Sequence, residues 1–124
     1  MKTFLLTALL IPAFCFSVHA ENMKTYYPSG QVQMEMTDAG VNTYYENGKL
    51  NTETPQLNGM PHGLAKTYYE SGKVMSEIQY QEGHIVGTSK MYYESGKLMR
   101  EDDPAKGTWK QYDENGKVLA EGKA

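Results

Sequence analysis

Beyond residue 20 the chain has no cysteine and no phenylalanine, and all 124 residues hold only one tryptophan, Trp109. Without cysteine, residues 21–124 can form neither a disulfide staple nor a thiolate metal site. Stability must then come from side-chain packing and hydrogen-bonded ladders. Positive charge is also short: 12 Lys+Arg stand against 15 Asp+Glu, a net of −3. That lacks the basic face a nucleic-acid footprint needs, so no nucleic-acid partner is expected. After residue 20 no stretch repeats apolar residues at the 3.6-residue helical period. No nucleophile–base pairing, phosphate-binding loop or zinc motif occurs either. The expectation is a protein that is not an enzyme and carries no cofactor and no metal.

The first twenty residues, MKTFLLTALLIPAFCFSVHA, differ from the rest. One positive charge at Lys2 precedes an apolar run from Phe4 to about Phe16, and Val18-His19-Ala20 closes it with compact residues. This is the pattern of a secretory signal peptide cleaved after Ala20, and the run is shorter than the roughly 20 residues of a membrane span. Cys15 follows Phe14 rather than a small residue, which excludes lipidation there. Two units are therefore expected: a signal peptide over 1–20 and one domain over 21–124, exported to the periplasm or the exterior. Residues 21–124 carry 11 Lys+Arg against 15 Asp+Glu, a net of −4.

What is abundant is repetition. KTYYPSGQVQME (24–35), NTYYENGKLNTE (42–53), KTYYESGKVMSE (66–77), KMYYESGKLMRE (90–101) and KQYDENGKVLAE (110–121) align on Gly30, Gly48, Gly72, Gly96 and Gly116. The steps of 18, 24, 24 and 20 residues describe a quasi-linear array whose units pack on their neighbours. Each copy has Tyr, Thr, Val and Met flanks around Ser-Gly or Asn-Gly, which signals a β-hairpin. Connectors of variable length, from TDAG (37–40) to LNGMPHG (57–63), absorb the differences in period. The fold class expected is all-β: an elongated antiparallel meander of tandem β-hairpins with about ten short strands.

Two apolar columns do not vary. Tyr26, Tyr44, Tyr68, Tyr92 and Tyr112 precede the turn, and Val32, Leu50, Val74, Leu98 and Val118 follow two residues after the glycine. Of the common hairpin loops, the three-residue loop with a glycine bulge puts both columns on one face. The second tyrosine of each pair, Tyr27, Tyr45, Tyr69 and Tyr93, becomes Asp113 in the last copy. A buried carboxylate is costly, so this column is assigned to the wetter face. Two readings stand for it: a strip that binds a partner, or passive exposure. Lys73 and Lys97 lie across the turn from it, within cation–π range. Tyr27, Tyr45, Tyr69, Tyr93, Lys73, Lys97 and Trp109 are the candidate binding residues, Trp109 also serving as a packing plug at the array end.

Glu35, Glu53, Glu77, Glu101 and Glu121 recur five residues after each turn glycine, and Lys24, Lys66, Lys90 and Lys110 six before it. One carboxylate per hairpin is no metal cluster; it reads as a solvated face with cross-strand ion pairs. His62 and His84 stand at non-equivalent offsets and read as loop residues.

Tandem YYxxGKL…E hairpins joined by NGxxxG-like connectors resemble MORN repeats, and more specifically the MORN-variant repeats of the YwqK-type antitoxin family. The resemblance spans residues 21–124. It implies an elongated antiparallel sheet that binds partners, with toxin neutralisation or membrane association for some members and no catalytic residues. The functional expectation is an exported, non-catalytic protein-binding module, itself of antitoxin or immunity type, whose expected partner is another protein. The alternative is a cell-envelope binder of glycan or membrane surface, since the hairpins also look distantly like choline- and cell-wall-binding repeats. Those build aromatic cages from several tryptophans, and a net of −4 is repelled by anionic lipid.

Overall fold

In a computed structural model the described residues are 22–124. The expected leader over 1–20 and the lipidation question at Cys15 lie outside them. No helix occurs among the described residues, which form twelve strands in one antiparallel sheet. The hairpins are β1 (Met23–Tyr26) with β2 (Val32–Thr37), β3 (Gly40–Tyr44) with β4 (Leu50–Leu57), β6 (Gly63–Tyr68) with β7 (Val74–Gln81), β9 (Ser89–Tyr92) with β10 (Leu98–Asp103), and β11 (Thr108–Tyr112) with β12 (Val118–Lys123). They lie side by side in chain order. The expected ten-strand meander is present.

The bulged hairpin register is also present. Tyr26 pairs with Val32, Tyr44 with Leu50, Tyr68 with Val74, Tyr92 with Leu98 and Tyr112 with Val118, each just before a register shift. The turn explains the pairing. In the third copy the Gly72 N–H donates to the Tyr69 carbonyl and the Tyr69 N–H to the Lys73 carbonyl, both at 2.8 Å. Gly72 sits at φ +87°, a left-handed conformation that a β-carbon would strain. The glycine thus closes the loop that sets Tyr68 opposite Val74 and brings tyrosine and aliphatic side chains to the same face. The register shift follows beyond that pair, with Met75 the extra residue between Val74 and Ser76.

Two strands were not expected: β5 (Met60–Pro61), paired with β4, and β8 (His84–Ile85), paired with β7. Both arise where the repeat step is longest. Asn58-Gly59 and Glu82-Gly83 all have positive φ, as a two-residue type I′ hairpin turn requires. The two small hairpins touch at their corners: the Gly83 N–H donates to the Pro61 carbonyl at 2.8 Å, and the Glu82 N–H to His62 Nδ1 at 3.3 Å.

The sheet is one layer thick, and no described side chain is fully enclosed. A second layer normally completes a domain. Here lateral contacts between hairpins must do that work, and the tyrosines supply them.

Candidate interaction surface

Strand alternation divides the paired residues between two faces. The first face carries an unbroken cross-strand row: Lys24, Glu35, Asn42, Glu53, Lys66, Glu77, Lys90, Glu101, Lys110 and Glu121, each opposite the next. Signs alternate through most of it, so cross-strand neighbours attract. Lys24 and Glu35 close to 3.0 Å, and Lys110 and Glu121 to 3.4 Å.

The first tyrosine column shares this face, and its hydroxyls bind the row. Tyr44 donates to Glu35 at 3.4 Å, Tyr68 to Glu53 at 3.0 Å, Tyr92 to Glu77 at 2.9 Å and Tyr112 to Glu101 at 2.6 Å. Each bond runs from one hairpin to the hairpin before it. Burial, then the Glu53 carboxylate, raises the Tyr68 phenol above its ordinary value, and burial with Glu77 does the same at Tyr92. At Tyr112 the hydrogen bond to Glu101 is the main cause. A nearby negative charge and lost hydration both disfavour a phenolate.

The second tyrosines run the other way along the array. Tyr27 donates to the Tyr44 carbonyl at 2.7 Å, Tyr45 to the Tyr68 carbonyl at 2.6 Å, Tyr69 to the Tyr92 carbonyl at 2.7 Å and Tyr93 to the Tyr112 carbonyl at 2.8 Å. Each strut contributes about 0.5–1.5 kcal/mol net. The expectation of a wetter second column is corrected: both columns are half-buried across the inner repeats, because both link hairpin to hairpin. In the last copy Asp113 belongs to the edge hairpin of the described sheet. Its carboxylate instead accepts the Asn115 and Lys117 backbone N–H groups at 2.8 and 2.9 Å.

Lys73 and Lys97 lie exposed at the turns, their carbonyls accepting the Tyr69 and Tyr93 N–H groups at 2.8 Å. The expected cation–π contacts with the tyrosines do not form, because the Lys side chains extend into solvent from the bulge. The cation–π contact among the described residues is Arg100 over Trp109, 4.6 Å from the ring centroid. Arg100, the chain's single arginine, also grips Asp102 with two hydrogen bonds of 2.8 and 2.6 Å. Trp109 pairs with Gly122 of the last strand, where an added β-carbon would meet the indole at 3.0–3.1 Å. The tryptophan thus lies flat across the end of the array. Sequence reasoning missed Arg100, although its being the sole arginine was a usable signal.

The second face has another character. Its central row reads Thr25, Met34, Thr43, Thr52, Thr67, Ser76, Met91, Arg100, Gln111 and Ala120. Thr43 and Thr52 join by their hydroxyls at 2.7 Å. Beside this row Met23 pairs with Met36, and Met36 with Val41. Met23, Met36 and Met91 are exposed. Charge on this face among the paired residues is confined to Arg100 and Asp102, which neutralise each other. No group of His, Cys, Asp and Glu among the described residues could hold a metal ion.

Five hairpins, each bulged at a turn glycine and tied laterally to the next, define the repeat. The family described as MORN repeat variant matches residues 22–37, 41–58, 61–82, 85–103 and 105–123. The chain belongs to the MORN repeat variant family. A search of curated proteins finds no match to it. The five MORN matches follow the five hairpins, each taking in a connector or part of one. Repeats of this family commonly mediate protein or membrane binding and are typically non-catalytic.

Proposed function

We propose that the protein is an exported, non-catalytic binding module that docks a protein partner on its methionine–threonine face, in the manner of an antitoxin or immunity protein. The segregation of charge carries this reading. On the first face the glutamates and tyrosine hydroxyls are engaged in tying hairpin to hairpin, and the Lys–Glu row pairs along the ladder. The second face offers adaptable methionines and short hydroxyl side chains with almost no net charge. Interface centres are depleted of charged residues and enriched in Met, and methionine adapts to irregular partner surfaces. A rigid sheet loses little conformational entropy on binding. Residues 1–20, with Lys2, the apolar run and the Val18-His19-Ala20 ending, support export, and the YwqK-type resemblance supports the antitoxin-like role.

Photo-crosslinking in the native host tests the face. A photoreactive residue at Met91 or Thr67 should trap a discrete protein adduct, whereas one at Glu77, on the first face, should not. Equal trapping from both faces, or co-sedimentation with peptidoglycan or anionic vesicles without any protein adduct, would overturn the proposal. Export is tested separately: the cell-purified chain should begin at Glu21 and fractionate outside the cytoplasm.

A further inference from the structure

Each of the four junctions between hairpins repeats the same three elements. A Glu stands opposite the Lys or Asn that begins the following hairpin: Glu35–Asn42, Glu53–Lys66, Glu77–Lys90 and Glu101–Lys110. The first tyrosine of the following hairpin donates to that Glu. The second tyrosine of the preceding hairpin donates to a backbone carbonyl of the following one.

The two ends of the sheet carry the unmatched halves of such a junction. At β12, the edge of the described sheet, Glu121 is exposed and accepts from no tyrosine among the described residues, and Leu119 is 56% exposed beside it. At β1, Tyr26 is 59% exposed, and among the described residues no hairpin precedes it and no acceptor takes its hydroxyl. Lys24 stands at that edge as the first member of the charge row, and Glu121 at the other as the last. The ends are complementary in sign and in hydrogen-bonding chemistry, and among the described residues neither β1 nor β12 has a further strand beside it.

We infer that a second copy of this chain occupies the edge. The β1 edge of one copy adds antiparallel onto the β12 edge of another, placing Glu121 opposite the second copy's Lys24 and Ala120 opposite its Thr25. The incoming Tyr26 hydroxyl donates to Glu121, as Tyr112 does to Glu101. Leu119 and Tyr26 cover each other, and the alternating charge row runs on without a break. The contact is heterologous, so it propagates in one direction as an open chain rather than closing as a dimer. It is weaker than an internal junction by one element, because Asp113 stands where the tyrosine strut would be and cannot donate as a carboxylate. Assembly is therefore reversible and set by concentration. Asp113 acts as the limiter.

The full chain, expressed with its own N-terminal segment and with Cys15→Ser, tests this by cross-strand disulfide trapping. Directly opposed β-carbons lie about 4.5–5.5 Å apart, near disulfide range. Thr25→Cys and Ala120→Cys chains should crosslink when mixed and not when either is oxidised alone. Ala120→Cys or Thr25→Cys crosslinking alone indicates like-to-like edge pairing and overturns the proposal. So does a mixture that fails to crosslink while the unmodified chain sediments as a monomer at every concentration. Sedimentation velocity on Asp113→Tyr gives a second readout that does not depend on the cysteine variants. Restoring the strut should tighten self-association by about tenfold, and an unchanged or weaker association counts against the inference.

Discussion

The hydroxyl of Tyr69 reaches 23 residues along the chain to donate to the backbone carbonyl of Tyr92 at 2.7 Å. That bond and its three equivalents join neighbouring hairpins beside the strand ladder itself. Tyr69→Phe removes the hydroxyl while keeping the ring. It should destabilise the protein by about 0.5–1.5 kcal/mol in urea unfolding, with faster amide exchange in the β9–β10 hairpin than in β1–β2. Unaltered stability would show that the ring alone provides the lateral contact.

The first tyrosine column predicts an alkaline limit. Tyr68, Tyr92 and Tyr112 are all raised above the ordinary phenol value, so the native state holds these protons more tightly than the unfolded chain. Their contribution is complete below about pH 10 and is lost as pH rises through the native values. Ultraviolet titration should show a late-ionising group of phenols, and stability should fall over that same range. Glu77→Gln should lower the Tyr92 pKa, since it removes the carboxylate and leaves burial as the main cause.

Two glycines should respond differently to alanine. Gly72 has positive φ but open space around it, so Gly72→Ala should cost about 1–2 kcal/mol of backbone strain, with Gly72→Asn recovering much of it. An alanine at Gly40 would drive its β-carbon into the Thr54 carbonyl oxygen, with the Pro55 Cα 3.0 Å away. Gly40→Ala should therefore disrupt the β3–β4 pairing, visible as lost amide protection in that hairpin and a larger fall in Tm than Gly72→Ala causes.

Trp109 reports on the end of the array. Gly122→Ala brings a β-carbon to about 3.0 Å from the indole, displacing the ring from the last strand and from Arg100. Tryptophan emission should shift to the red and quench more readily with acrylamide. Arg100→Lys, which loses the planar two-point grip on Asp102, should produce a smaller shift in the same direction.

The hairpins were legible because their marks are local: a glycine at the bulge, and an aliphatic residue two positions on. Pairing Tyr68 with Val74 needed only the observation that both columns never vary. The short strands β5 and β8 were harder to read. Asn58-Gly59 is a strong turn signal, but only two residues on its far side pair with β4, too few to register as a strand. The second tyrosines were misread for another reason. Their hydroxyl acceptors lie 17 to 23 residues away on the next hairpin, so nothing in the YYxxG motif distinguishes a strut from an exposed ring. Asp113 suggested a wet environment, whereas it is half-buried and its carboxylate accepts backbone N–H groups of its own turn.

A sheet in which no side chain is wholly enclosed changes how the protein responds to temperature. The heat-capacity rise on unfolding tracks newly hydrated apolar surface, about 12–15 cal/mol/K per residue for ordinary domains. A single-layer array exposes less of it, so its increment should lie below that range and its free energy should curve only gently between cold and heat. Such a molecule would lose strength gradually toward either extreme, keeping similar rigidity in a chilled environment and a warm one.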